Sequence, residues 1–328
     1  MSDSAVSLYK LKGGMVGMGM IFEETYRPFF ENAFRDGVYD PRTGVIKLEI
    51  AAVASRTGGR AAKYKESAGQ SINDFSSYIE PDSVGQLLTH DVDFVCVATP
   101  DDRHFDATMA AIQAGKHVIV EKPSVLSMQE LDAITAAAGE KQVLCKVVYH
   151  KLFDPDHKKL RTFVTDGVLN HINTGYCTLL EPKQISGAQF SEWIQGRNPG
   201  TYVAVHYIKL IDFTFGGTLK SISCSGQRGI VGEADGNTWD STQLRMVYEY
   251  ASGREATFDI HTSWVTPDNF PGYVEQEVQF RFDNGIWNGH SRKRGVECTV
   301  EEQTPLTIKN SMNNHYNCLL YTSDAADE

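Results

Sequence analysis

Two short stretches place chemically able side chains where a strand ends. In VIVEKPSVLS (118–127), the strand formers Val118, Ile119 and Val120 run directly into Glu121, Lys122 and Pro123. In MVGMGMIFEETY (15–26), Gly17 and Gly19 fall between a strand pattern and a helix pattern, followed by Met20. In a dinucleotide-binding turn the first glycine makes the tight bend and the second lets the backbone approach a pyrophosphate. The helix N-terminus that follows attracts its charge. The third glycine position of that motif holds Phe22.

A third stretch bears on which dinucleotide would bind. The second long strand pattern ends VASRTGGR, with Ser55 and Arg56 where an acid would bind a ribose hydroxyl. A hydroxyl beside a guanidinium suits a 2′-phosphate, so NADP is expected in preference to NAD. The spacing from Gly19 to Ser55 exceeds the usual distance of roughly 20 residues. The segment YDPRTG reads as an inserted loop that accounts for the difference.

These residues need strands that end side by side. From Leu11 to about Val148, strand patterns (KGGMVG, VIKLEIAAVAS, DFVCVAT, HVIVEK, VLCKVVY) alternate with helical ones (Ile21–Phe34, Gly59–Ser67, His104–Ala114, Met128–Ala138). Runs such as IAAVA and FVCVAT are apolar on both faces, as strands covered by helices on each side must be. The expected fold class is α/β: an N-terminal doubly wound Rossmann domain over residues 1–148, then a C-terminal α+β domain over 149–316. The second domain is expected to hold two helices, Pro155–Val164 and Thr201–Phe215. A large, predominantly antiparallel sheet follows, built from SISCSG, TQLRMVYEY, EATFDIHTSWV, EQEVQFRFDN and IWNGHSRKRGV, with turns at ASGR and DNG. The ending YNCLLYTSDAADE continues neither pattern, and residues 317–328 are expected to be a non-native tail.

Composition narrows the partners. The chain has 328 residues, 31 of them basic and 42 acidic, for a net charge of −11. With no basic stripe to neutralise phosphates, nucleic acid is not an expected partner. No apolar run is long enough to span a bilayer, the N-terminus lacks the order of a signal peptide, and the six cysteines form no CxxC pair. A cytoplasmic protein with reduced thiols, not a membrane protein, is therefore expected. His150, Asp154 and His157 follow no standard ligand spacing, and no metal is expected.

The order VATPDDRH, then AGKHVIVEKP, resembles the glucose-fructose oxidoreductase/inositol dehydrogenase (Gfo/Idh/MocA) family over most of residues 11–216. The resemblance implies that Glu121, Lys122 and Pro123 lie beside the nicotinamide, where a partly desolvated lysine can take or give a proton. Thr99 and Pro100 end the preceding strand on the cofactor side, and His104, opening the next helix, is expected as a structural residue or a cofactor-side contact and not as a base. NPGTYVAVHYIKLIDFTFGG resembles the family's second signature, a helix carrying an acid and, four residues on, a histidine. His206 matches the histidine, and Tyr202 stands at the acid position. At this spacing both side chains are expected on one helical face, with Lys209 a turn further on. His206 is then expected as general base or positioner of the alcohol, with Tyr202 able to orient it. KVVYHK matches a segment that contacts substrate, which implies roles for Tyr149 and His150. Trp193, Arg197 and Asn198, just before the histidine helix, are candidates to hold sugar hydroxyls.

The expected activity is NAD(P)-dependent hydride transfer to or from a hydroxyl or carbonyl carbon of a sugar, polyol or related cyclic substrate. The resemblance also implies a homodimer or homotetramer. A cofactor-binding regulator without turnover is the alternative, since the acid at Tyr202 and the third glycine are both absent.

Overall fold

A computed structural model of the chain describes residues 8–184, 194–233, 237–269, 274–290, 295–301 and 306–309. They fall into two compact units that divide between Val148 and Tyr149. Trp193 and the 317–328 tail lie outside the described residues.

The first unit contains β1 (Leu8–Val16), β2 (Val38–Asp40), β3 (Gly44–Ser55), β4 (Ser76–Ile79), β5 (Phe94–Val97), β6 (His117–Val120) and β7 (Cys145–Val147). They pair in the order β2-β3-β1-β5-β6-β7, with β4 also on β3. All these pairings are parallel except β2 with β3. The period of two in a strand sends neighbours to opposite faces. Met15, Val53 and Cys96 therefore join one apolar cluster with Phe22, Phe30 and Tyr64, while Val16, Ala52, Ala54, Val95 and Val97 join another with Leu87, Ala111 and Ile112. The helices are α1 (Arg27–Arg35), α2 (Gly59–Ala68), α3 (Ser83–Leu88), α4 (His104–Gln113) and α5 (Met128–Lys141). α5 begins at a capping box, with the Ser127 hydroxyl accepting from the Glu130 amide and the Glu130 carboxylate accepting from the Ser127 amide. This is the doubly wound Rossmann arrangement.

Two local expectations are corrected here. The segment read as an inserted loop is a hairpin, with Val38–Asp40 antiparallel to Gly44–Ile46. The first helix is not one α-helix: a π turn at Phe22–Tyr26 precedes α1. β4 and α3, four and six residues long, carry too few periodic positions to stand out in the sequence.

The second unit contains β8 (Ile172–Pro182), β9 (Thr218–Gln227), β10 (Ser241–Glu249), β11 (Glu255–Thr266), β12 (Glu275–Phe282), β13 (Gly285–His290), β14 (Gly295–Val300) and β15 (Leu306–Lys309). They form one sheet in the order β15-β14-β13-β12-β8-β11-β10-β9, antiparallel throughout except β11 with β8. One face packs Cys177, Leu179, Phe258, Ile260, Val278 and Phe280 into a cluster with residues of α6 (Pro155–Thr165) and α8 (Ala204–Phe215). β8, at the centre of the sheet, went unread because Asn173, Gly175 and Pro182 interrupt its pattern. Gly175 is needed there: a Cβ would stand 2.5 Å from the Phe258 ring and 2.7 Å from that of Phe280. IWNGHSRKRGV, expected as a single strand, instead contributes to two antiparallel ones, β13 and β14.

Candidate functional site

The glycine turn follows β1 and is tied to the strands on both sides. Gly17 N–H donates to the Ala54 carbonyl at 2.9 Å, and Ala98 N–H donates to the Val16 carbonyl at 2.9 Å. Gly17 has φ +91°, and a Cβ on it would stand 2.4 Å from the Ala98 oxygen. Both its conformation and its contact require glycine. Gly19 differs: a Cβ there would meet only the Arg60 guanidinium, at 3.7 Å. Among the described residues no packing demands glycine at 19, so the space beside it is open to a ligand that approaches the backbone.

Phe22, at the third glycine position, is fully buried and meets Tyr64 of α2 edge-on, with ring centroids 5.1 Å apart. The turn that carries this ring is the π turn. The same turn delivers Tyr26, whose hydroxyl donates to Glu121 Oε1 at 2.9 Å. Glu121 is buried, and burial pushes its carboxyl above the usual carboxylate range, opposed by Lys122 and by the Tyr26 bond. Burial, more than the neighbouring carboxylate, raises the Tyr26 phenol.

At the end of β3, Ser55 Oγ accepts from Gly58 N–H at 3.2 Å, which shapes the turn into α2. Arg56 is exposed beside it. Arg60, in the first turn of α2, donates from Nη1 to the Met18 carbonyl at 3.0 Å. Sequence reasoning passed over Arg60; the signal was a basic residue at the start of the helix that follows Ser55. Met20 opens the helix after the glycine turn and is half-buried.

Thr99 and Pro100 follow β5, whose end adjoins those of β1 and β6. Thr99 Oγ1 is buried and has no hydrogen-bond partner among the described residues. The Thr99 carbonyl lies 2.8 Å from His104 Nε2, and the Pro123 carbonyl lies 2.7 Å from His104 Nδ1. His104 was expected as a structural residue or a cofactor-side contact, and both of its ring nitrogens are engaged by the main chain. Lys122 is half-buried, and its peptide bond to Pro123 is cis. Gly17, Gly19, Thr99 and Lys122 thus stand at the carboxyl ends of β1, β5 and β6. The sheet order reverses there, because the chain runs from β1 to β3 on one side and returns to β5 on the other.

In the second unit, His150 opens a 3-10 turn (His150–Phe153) and His206 lies on α8. Their ring centroids are 4.2 Å apart. The expected single helix Thr201–Phe215 is two: α7 (Pro199–Tyr202) and α8, separated at Val203. Tyr202 and His206 therefore do not share one continuous helical face. Tyr202 packs on Trp264 with centroids 6.1 Å apart, and the Trp264 indole N–H donates to Glu181 at 2.7 Å. Burial raises the Tyr149 phenol, and Lys209 partly offsets this. Lys209 itself bonds Asp212 at 2.7 Å. Lys151 is buried against Gln276. Asn198 caps α7, accepting from Thr201 N–H at 2.8 Å, and the carbonyl of half-buried Arg197 accepts from Trp239 N–H at 3.2 Å.

Residues 11–149 match a family described as "Oxidoreductase family, NAD-binding Rossmann fold". Over these residues the chain is similar to the Gfo/Idh/MocA oxidoreductases. Similar proteins include scyllo-inositol 2-dehydrogenase (NADP(+)) of Bacillus subtilis, 39% identical over 89 residues, which are 26% of this chain and 25% of that one. D-xylose 1-dehydrogenase (NADP(+)) of Hypocrea jecorina is 30% identical over 50% of this chain and 40% of its own. The first of these alignments thus spans a quarter of the relative's length. Among solved structures, levoglucosan dehydrogenase in complex with NADH and levoglucosan aligns with a TM-score of 0.76 at 16% identity, over 92% of this chain and 80% of that one. An inositol dehydrogenase homolog from Azotobacter vinelandii, complexed with NADH and myo-inositol, aligns at 0.73 and 19%, over 96% and 79%. At these identities the structural likeness establishes the fold alone. No helix among the described residues is long and apolar enough to cross a membrane.

Proposed function

We propose that this chain is an NADP-preferring Gfo/Idh/MocA oxidoreductase that interconverts a secondary alcohol and a carbonyl on a sugar, polyol or related cyclic substrate. The observation that carries the reading is the convergence at the sheet's switch point of an open glycine turn, Thr99 and the Glu121-Lys122-Pro123 strand end. NAD(P) fits the residues present. Gly19 leaves its Cβ space open, and Ser55, Arg56 and Arg60 gather a hydroxyl and two cations at the end of β3 and the start of α2. The bound nicotinamide supplies the hydride chemistry.

The chain's own residues supply the rest. Ser55 and Arg56 bind the 2′-phosphate, with Arg60 as a second cation. Lys122 takes the hydroxyl proton as the alcohol is oxidised, or returns it on reduction. His206, in contact with His150, holds the reacting oxygen by an imidazole hydrogen bond, and Tyr149 and Arg197 serve the substrate's other hydroxyls. The partner is a small molecule, not nucleic acid, and the working form is a homodimer or homotetramer in the cytoplasm.

The test is a fluorescence titration with NADPH and, separately, NADH, followed by Lys122→Met assayed on a panel of sugars and polyols. Tighter NADPH binding is expected, and K122M should lose about 10²-fold or more in turnover with binding retained. Turnover unchanged in K122M would overturn the role of Lys122; binding and loss of turnover together exclude a regulator without chemistry.

A further inference from the structure

His104 is 1% exposed, yet each of its ring nitrogens lies at hydrogen-bond distance from a main-chain carbonyl: Thr99 at 2.8 Å and Pro123 at 2.7 Å. A carbonyl oxygen accepts and never donates. A neutral imidazole carries one N–H and would set a lone pair against the second oxygen, whereas the imidazolium donates to both. A buried cation is tolerable only when its donors are met, and here both are.

The two carbonyls do not belong to one element. Thr99 follows β5 and Pro123 follows β6, so the ring ties together the ends of two neighbouring strands. Lys122 immediately precedes one of the tied points, Pro123. Its preceding neighbour, Glu121, is held by its own N–H to the Val97 carbonyl at 2.9 Å and by the Tyr26 hydroxyl at 2.9 Å. Its following neighbour, Pro123, has no N–H, so its carbonyl is the main-chain group left to hold it, and His104 engages that oxygen. Lys122 is thereby fixed from both sides, by the anchored Glu121 before it and an imidazole anchor after it. Ionisable groups on the adjoining segments are Asp101, Asp102 and Arg103 on the preceding turn, Asp106 on α4, and Glu121 and Lys122 themselves.

We propose that His104 is a positioning residue for Lys122, a doubly donating imidazolium that clamps the β5 and β6 ends and so fixes where the lysine amine stands. This rests on the reading of Lys122 as the proton carrier. His104 touches no reacting atom, and its effect passes through the Pro123 carbonyl. Glutamine cannot replace it, because both amide hydrogens sit on one nitrogen and cannot span two carbonyls on opposite sides.

Two measurements on the full chain test this. In proton–nitrogen correlation spectra of the wild-type protein at neutral pH, with the His104 signals assigned by their loss in His104→Gln, both ring nitrogens should carry protons. A neutral ring with one protonated nitrogen would overturn the clamp. In kinetics, H104Q should bind NADPH within about twofold of wild type yet lose about 10- to 100-fold in kcat, the scale of a misplaced reacting group. The H104Q/K122M double variant should be no slower than K122M. Wild-type kcat in H104Q, or losses that multiply in the double variant, would overturn the positioning role alone. Retained turnover in K122M would overturn the Lys122 assignment itself, whatever H104Q does.

Discussion

The imidazoles of His150 and His206 are in ring contact, with centroids 4.2 Å apart and planes tilted by 49°. One sits on the turn that follows the last strand of the first unit and the other on α8, 56 residues later in the chain. His206 is 3% exposed and His150 is half-buried, so the pair leads from a buried ring to one nearer solvent. In the proposed reaction the two act as a unit, His206 holding the substrate oxygen and His150 fixing His206. His206→Gln should cost about 10²-fold in kcat/KM, the lower part of the usual range for an acid–base group. His150→Gln should cost about tenfold, and the double variant should be no worse than H206Q, since residues that work through one another are not additive. Independent, multiplying losses in the four-way comparison would show that His150 has its own task.

The two glycines of the first turn should separate stability from binding. Gly17→Ala places a Cβ 2.4 Å from the Ala98 oxygen on a backbone with φ +91°, so the turn must move. A loss of about 1–3 kcal/mol in urea unfolding is expected, as for other strained positions. Gly19→Ala meets only the Arg60 side chain at 3.7 Å, and its stability should stay within about 0.5 kcal/mol of wild type. Its NADPH affinity should nevertheless fall by about tenfold, because the methyl occupies the approach to the backbone. Equal binding by G19A and wild type would show that the open space serves no pyrophosphate.

What the sequence disclosed here was local. The strand-to-helix alternation, the Gly17 turn and the Glu121-Lys122-Pro123 strand end are written in consecutive residues, and they stand where such patterns place them. Contacts made across the fold left no local trace. Tyr26 meets Glu121 across 95 residues, and nothing near Tyr26 in sequence marks it as the partner of a buried acid. β8 was hidden because its Gly175 answers to Phe258 and Phe280, residues of strands far along the chain. The helix break at Val203 was hidden for another reason: Asn198-Pro199 starts a helix well, and the apolar pattern continues through the break, which only the backbone at Val203, with φ −112°, marks.

Cofactor choice should rest on charge at the end of β3. Arg56 is exposed and Arg60 is bonded to the Met18 carbonyl, so removing Arg56 leaves the glycine turn intact. Arg56→Ala should weaken NADPH binding by about tenfold or more, the equivalent of one charge-assisted contact to phosphate, with NADH binding unchanged. Raising the salt concentration should erode the wild-type preference and leave that of R56A little altered, because the discriminating contact is solvent-exposed. If R56A weakens both cofactors alike, the guanidinium supports the turn instead of reading the 2′-phosphate.

The bond from Tyr26 to Glu121 makes stability depend on pH in a direction that can be worked out. Burial holds the Glu121 carboxyl above its ordinary range, so the folded state keeps this proton where the unfolded chain would release it. The group's contribution is therefore most favourable below the ordinary glutamate range and is lost as pH rises through the raised folded value. The Tyr26 hydroxyl limits that loss by donating to the carboxylate at 2.9 Å. Tyr26→Phe removes the donor and pushes the carboxyl higher still. At about pH 7.5 the variant should lose about 1.5–3 kcal/mol in urea unfolding, as for a hydrogen bond to a charged group. At about pH 5, where more of the folded population carries the proton, the bond is closer to a neutral one and the loss should shrink toward about 1 kcal/mol. Identical losses at the two pH values would mean that Glu121 does not change charge between them in the folded protein, and that Tyr26 serves as packing more than as a partner for a buried acid.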